Sequence, residues 1–442
     1  MTVELQIREI VARLAKVAVA EVDTSQNATF YGIDSLGQLE FRELLERRFG
    51  TYLDDRAFAN FGSIDELIAY IDSRREIQRV RPSEVSPRDI QLEAIKNSDS
   101  HKERVSLGGV FYEDIEIGMS LTCLNNLAES PLLKYLGDLR WRHLSALSGV
   151  PSKLFADETG QRLYPSFFYV EMAFPELRPM ASYGENDILK IASTLKRFGG
   201  SMLDGLSFLL PAGHSEMNDL PFETVEQALA VGIPSVRLSN IFVEQHNGSE
   251  WLRTARPANP GFKTIRELAV APESYVHMKQ AEKGDYLVRP DKSYLPMTQG
   301  PVKIEYPLVV DRDFSSTGLV YFANYPIFLD ICERQVLAAA TLPLPESMIS
   351  KRTIVRRRSA YLNNASPSET LVIEVEPWIE NPVTADHAVP EVAPIRLFIN
   401  YRMYRKSDAR LMMVSTAEKL IFGVPFAELS FSSRFLKSSL TK

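Results

Sequence analysis

Cysteine is nearly absent: 442 residues contain two, Cys123 and Cys332. That excludes a disulfide framework and a structural zinc site, which need several cysteines at defined spacing. Both thiols read instead as small buried hydrophobes. Long apolar runs are missing too, so no helix is expected to span a bilayer. The opening residues, Met1 to Gln6, lack the basic-then-apolar order of a secretory signal, and the expectation is a cytoplasmic protein without membrane attachment. Positive charge is not in excess: 50 Lys and Arg face 57 Asp and Glu, a net charge of −7. Nucleic acid is therefore not an expected partner. No phosphate-binding glycine loop, dinucleotide fingerprint or metal-ligand spacing occurs, and no metal is expected.

A chain of this length suggests two or three domains. Its acidity is uneven, because residues 1–76 hold 14 Asp and Glu against 9 Lys and Arg, a net −5. Such a surface suits docking on basic partners. Within it, Tyr31-Gly32-Ile33-Asp34-Ser35-Leu36-Gly37-Gln38-Leu39-Glu40 places a serine after a glycine turn and before an amphipathic helix. Asp34 or Ser35 can cap that helix by accepting unpaired backbone N–H groups. Leu36, Leu39, Leu44 and Leu45 recur at helical spacing. The Ser35 hydroxyl is left at the helix start, open to modification.

This pattern resembles the acyl carrier protein family over about residues 1–75. The likeness includes a first helix over residues 3–18, the loop with Phe30 and Gly32, the serine-led helix, and a last helix over Ser63 to Ile71. It implies a four-helix bundle and 4′-phosphopantetheine covalently attached to Ser35. It also implies a phosphopantetheinyl transferase as partner, together with polyketide synthase or other carrier-dependent enzymes. A capped helix without a prosthetic group is the plain alternative, and the extended helical pattern favours the carrier.

Residues 77–104 are charged and interrupted by Pro82 and Pro87, and they read as a linker. Beyond them two units are expected, at 105–270 and 271–442, each with a helix followed by strands, an α+β order. In the first, Val110 to Gly118 reads as an edge strand, Pro131 to Ser148 as a helix interrupted at Gly137, and Tyr164 to Phe174 and Leu189 to Arg197 as strands. In the second, strands are expected at 302–310, 353–361, 370–376, 395–404 and 411–422, with a helix inside 321–340. Residues 213–261 read as polar and irregular.

Asp313-Phe-Ser-Ser-Thr-Gly318-Leu-Val-Tyr321-Phe-Ala-Asn324-Tyr325, with Phe328 and Asp330, resembles the opening of hotdog-fold acyl-CoA thioesterases. Two such units in one chain imply a double hotdog. Where that family places a catalytic carboxylate, this chain has Ser315. Hotdog dehydratases use a histidine near the central helix, whereas His387 lies in a Pro-rich stretch away from it. Hydrolysis and dehydration both lose support on these residues.

Pro131 to His143, Gly160 to Phe167 and Arg352 to Asn364 resemble a narrower family, the leinamycin-type bifunctional acyltransferase/decarboxylases. That resemblance implies transfer of methylmalonyl from CoA, decarboxylation, and propionyl left on a carrier, with Tyr164 matching the family's tyrosine nucleophile. A tyrosine of ordinary pKa, about 10, needs a base or cation to act so. Arg162, Arg140, Arg142 and His143 are the candidate helpers. Asn324 and the Gly318 N–H are the candidate donors to the enolate. His143, Arg356 and Arg358 are candidate substrate-binding residues, the arginines for a CoA or carrier phosphate, although a run such as Arg356-Arg357-Arg358 is ordinarily a solvated surface. Gly213-His214-Ser215-Glu216-Met217 lacks the closing glycine and setting of a nucleophile elbow and reads as a loop. The alternatives are a hotdog thioesterase or dehydratase on carrier-bound thioesters, and a non-catalytic acyl-binding carrier fusion.

Overall fold

Apolar residues at helical spacing fold the acidic N-terminal segment as helices around a small core. A computed structural model describes residues 2–33, 35–49, 53, 58, 61–80, 105–124, 126–244, 253–287, 289–291, 293–315, 317–381 and 394–422. The chain divides into two compact units, Met1–Lys96 with Thr254–Arg256, and Asn97–Arg253 with Pro257–Lys442. Among the described residues no helix is long and apolar enough to cross a membrane. No group of His, Cys, Asp or Glu there is arranged to hold a metal ion.

The first unit contains α1 (Val3–Ala15), α2 (Ser35–Phe49) and α3 (Ile64–Val80). Thr2 caps α1, its hydroxyl accepting the Leu5 N–H at 3.3 Å. Before α2, Asn27 caps a short 3-10 turn that ends at Gly32, whose φ of 71° is the left-handed conformation glycine adopts without strain. At α3 the Ser63 hydroxyl accepts the Glu66 N–H, and the Glu66 carboxylate accepts the Gly62 N–H. Ile7, Val11, Phe41, Leu45, Leu67 and Ile71 bury the inner faces. Three helices of the expected bundle are described. Asp34 and most of the expected linker lie outside the described residues, as does the Ser35 side chain.

The second unit is an arrangement of helices on antiparallel sheet. Its main strands are β1 (Phe111–Glu116), β2 (Leu163–Ala173), β3 (Ile188–Phe198), β4 (Met202–Pro211), β5 (Ser235–Glu244), β6 (Val302–Pro307), β7 (Arg352–Tyr361), β8 (Thr370–Glu380), β9 (Ile395–Arg405) and β10 (Leu411–Ile421). They pair in the order β1-β3-β4-β5-β2-β7-β10-β9-β8-β6. Read from either end towards the centre, each half has the order first, third, fourth, fifth, second. The halves meet where β2 and β7 run antiparallel, with Arg358 opposite Glu171. One long helix lies between the first and second strands of each half: α4 (Glu129–Ser148) and α6 (Tyr325–Ala339). Between the halves in sequence, α5 (Glu273–Lys283) packs on both β2 and β7.

One apolar core spans both halves, including Leu132, Leu136 and Leu139 of α4 and Phe328, Leu329 and Leu337 of α6. α4 is not interrupted at Gly137. A Cβ there would lie 3.0 Å from the Phe322 ring, so glycine lets that aromatic close onto the helix. Residues 213–261 are not wholly irregular, because they contain β5. Its polar residues break the apolar alternation, and two are held by partners: Ser239 donates to Asp204, as does Ser274 of α5, and Arg237 pairs with Glu273 at 2.7 Å. Cys332 is buried on α6, but Cys123 is exposed.

Candidate functional site

The turn before α6 is set by Gly318, at φ 73°. Its N–H donates to the Ser315 carbonyl at 3.0 Å, so this group belongs to the turn and is not a free donor. Asn324 then occupies the start of α6, ahead of a proline in the first turn, where the missing N–H costs nothing. The Asn324 Nδ2 donates to the Arg312 carbonyl at 2.8 Å, and among the described residues its buried Oδ1 has no partner. One amide N–H of Asn324 is thus engaged, which leaves its second N–H and the Oδ1 acceptor.

Tyr164 lies near the start of β2, half-buried, with its ring 4.6 Å from the Arg162 guanidinium carbon. Alternation along the strand sends it to the face opposite Phe167. Phe167 stacks on Phe322 at 4.0 Å, so Phe167 rather than Tyr164 is brought to the start of α6. Of the expected helpers only Arg162 is beside the phenol. Arg140 is buried against β5, where it donates to the Leu238 carbonyl, five residues along from Val243, the register partner of Tyr164. Burial lowers its pKa to about 10. Arg142 pairs with Glu113. His143 is fully buried, with Nε2 3.1 Å from the Gly109 carbonyl, and burial pushes it down to about 3. Burial leaves this imidazole neutral at pH 7.

Arg356 and Arg358 both donate to Glu171, at 2.9 and 3.2 Å, and Arg356 also pairs with Glu226. Both guanidinium groups thus meet carboxylates within the protein. The arginine run is not a solvated surface: strand alternation turns Arg357 to the other face, where it is 2% exposed. On the Glu171 side α5 adds His277, inside the 271–442 boundary and passed over in the sequence. Its Nδ1 is 2.8 Å from the Tyr169 hydroxyl, and burial lowers its pKa.

Arg357 enters a cluster that residue-by-residue reading missed. Its Nε is 2.6 Å from Glu129 Oε1 at the first turn of α4, and its Nη2 is 3.1 Å from Asp330 Oδ1 on α6. The Lys419 ammonium lies 2.7 Å from both Asp330 and Glu333. Arg352 pairs with Glu333, and the Tyr401 hydroxyl donates to it. Three cations thus answer three carboxylates. Burial opposes the charge of Asp330, but Lys419, Arg357 and Arg352 outweigh it and hold the carboxyl well below its usual range. Burial instead pushes Glu129 up, with Arg357 opposing the shift and Asp330 adding to it. The available signal was Asp330 and Glu333 at helical spacing, one turn apart.

Residues 6–71 match the family model described as the phosphopantetheine attachment site. A phosphopantetheine-attachment domain is therefore present, consistent with a covalently held arm. Ser35 is the first residue of α2, and a helix start offers unpaired N–H groups to a phosphate, which fits the group. No curated protein matches the chain. Among solved structures it is similar to an oleoyl thioesterase so described from Lactobacillus plantarum, with 10% identity over 71% of this chain and 97% of that one, at a TM-score of 0.47. An acyl-ACP thioesterase from Bacteroides thetaiotaomicron aligns at 10% identity over 71% and 98%, with a TM-score of 0.42. The 12:0-ACP thioesterase from Umbellularia californica aligns at 9% identity over 70% and 94%, also at 0.42.

Proposed function

We propose that this protein is an enzyme that processes acyl thioesters held on its own phosphopantetheine arm at Ser35. The observation that carries the reading is the phosphopantetheine-attachment domain over residues 6–71, fused in one chain to a hotdog-like unit with two halves of the same strand order. The arm supplies a thiol for the acyl group when it is attached. The chain's own contribution is to orient the thioester carbonyl and to move the proton of the attacking group.

The finer form of the proposal is a double-hotdog acyltransferase/decarboxylase of polyketide biosynthesis. Methylmalonyl-CoA donates its acyl group to Tyr164, carbon dioxide leaves, and propionyl passes to Ser35's arm or to a separate carrier. The resemblance at Pro131 to His143 and Gly160 to Phe167 supports this form, and the Arg162 cation beside the phenol is the feature that would assist Tyr164. A second reading, hydrolysis, is favoured by one observation. The Gly318 N–H and one Asn324 amide N–H are engaged within the protein, and these were the donors assigned to the enolate. Hydrolysis makes no demand for those two groups.

Intact-protein mass spectrometry of the phosphopantetheinylated chain with methylmalonyl-CoA tests both. A propionyl adduct that is lost in Ser35→Ala and in Tyr164→Phe supports transfer with decarboxylation. Release of free acid from a loaded arm, unchanged in Tyr164→Phe, supports hydrolysis and removes Tyr164 from the chemistry. An arm that neither gains nor loses acyl groups overturns the enzymatic proposal.

A further inference from the structure

The junction of the two halves around Arg357 contains polar groups that the fold does not satisfy. Among the described residues, Arg357 Nη1 and the Ser130 hydroxyl are both buried without hydrogen-bond partners, at 2% and 5% residue exposure. Ser130 sits in the first turn of α4, a 20-residue helix whose N-cap, Ala128, supplies no side-chain acceptor. The backbone N–H groups there and the guanidinium Nη1 are donors in need of an oxygen. The Asp330 side chain, on the other side of Arg357, is 43% exposed, so solvent reaches that edge of the cluster while Arg357, Ser130 and Glu129 lie beneath it.

We propose that this junction is the catalytic centre for the thioester reaction, with Glu129 as the proton carrier, Arg357 and Ser130 as donors to the carbonyl oxygen, and Asp330 as a positioning residue acting through Arg357. The inference rests on the thioester-processing reading above. The acceptor, water or a thiol, attacks the thioester carbonyl while its proton moves to the Glu129 carboxylate. Negative charge on the carbonyl oxygen is met by Arg357 Nη1 and the Ser130 hydroxyl. The carbon–sulfur bond then breaks, and the proton on Glu129 passes to the leaving thiolate, restoring the carboxylate.

The surroundings suit that division of labour. Arg357 on β7, Lys419 on β10 and Asp330 on α6 are the charged groups facing Glu129, with Glu333 beside Arg357 and with Tyr361 and Tyr401 the titratable hydroxyls nearby. Two carboxyls whose environments push them in opposite directions, one on either side of one guanidinium, are what proton transfer at neutral pH requires. Asp330, held ionised, is too weak a base for the task and serves instead to fix Arg357.

The test uses the full chain loaded at Ser35 with propionyl- or methylmalonyl-phosphopantetheine. Loss of the acyl group to water or added CoA is followed from pH 5 to 9 by intact mass. Glu129→Gln is expected to slow loss by about a hundredfold or more and to abolish the acid limb of the rate profile. Asp330→Asn removes a negative charge that disfavours ionised Glu129, so the acid limb should move to lower pH, a change that a merely structural role would not produce. Ser130→Ala removes one donor without touching the charge balance and should slow loss by about tenfold or more. If Glu129→Gln unfolds, Glu129→Asp decides through its own displaced acid limb. Wild-type rates and limbs in these variants would overturn the assignment alone. A wild-type chain that retains both acyl groups at every pH would overturn the thioester reading and this centre with it.

Discussion

A buried histidine makes stability depend on pH in a direction fixed by its shift. His143 is fully enclosed against Phe111, and its folded pKa of about 3 lies below the roughly 6.5 of an exposed imidazole. Above that higher value neither state binds the proton, and His143 contributes no pH dependence. Below it the unfolded chain takes up a proton that the folded protein refuses until about 3, so stability falls as pH falls through this window. One proton corresponds to about 1.4 kcal/mol per pH unit. Urea unfolding of the wild type from pH 7 to 4 should therefore be steeper in pH by about one proton than unfolding of His143→Gln, which retains a donor for the Gly109 carbonyl. Parallel profiles would show that His143 is not enclosed in the folded state.

At the scale of elements, the ties between helix and strand are ionic as well as apolar. Lys419 on β10 is 4% exposed and holds Asp330 and Glu333 on successive turns of α6. Lys419→Met leaves the buried Glu333 short of a cation beside the more exposed Asp330 and should cost about 3–5 kcal/mol in urea unfolding. Part of that loss should be recovered as pH falls and the carboxyls protonate. A loss below about 1 kcal/mol would mean that the cluster is wet and weakly coupled. This tie also marks what the sequence could reveal. Ile395, Leu397, Ile399, Tyr401 and Met403 are buried at alternate positions of β9, so the period-2 pattern exposed that strand plainly. β5 is buried along its whole length, its serines, arginine and asparagine included, and that leaves no alternation of polarity to read. The same limit hid the junction site. Glu129, Asp330, Glu333, Arg357 and Lys419 are spread over 290 positions of sequence, counting from 129 to 419, and only the pairing of β2 with β7 and the packing of α6 bring them together. Gly318 and Asn324 were visible as a turn and a helix start, whereas the engagement of their N–H groups depends on carbonyls that no motif specifies.

At the scale of the whole molecule, covalent fusion changes which carrier is served. The sequence over residues 77–104, charged and broken by Pro82 and Pro87, is expected to act as a tether. A tethered arm meets the second unit at an effective concentration on the order of millimolar, whereas a separate carrier is present only at its bulk concentration. With the full chain and a free carrier both phosphopantetheinylated and mixed at about micromolar levels, the fused arm should react about a hundredfold or more faster. Intact mass spectrometry reads both arms in one sample, since the two proteins differ in mass. The preference should vanish when the free carrier is raised towards millimolar, and Ser35→Ala should leave only the slow bimolecular reaction. Equal rates for both arms at micromolar concentration would mean that the fused carrier gains nothing from the tether. Its cargo would then be destined for another enzyme, with the second unit serving carriers in trans.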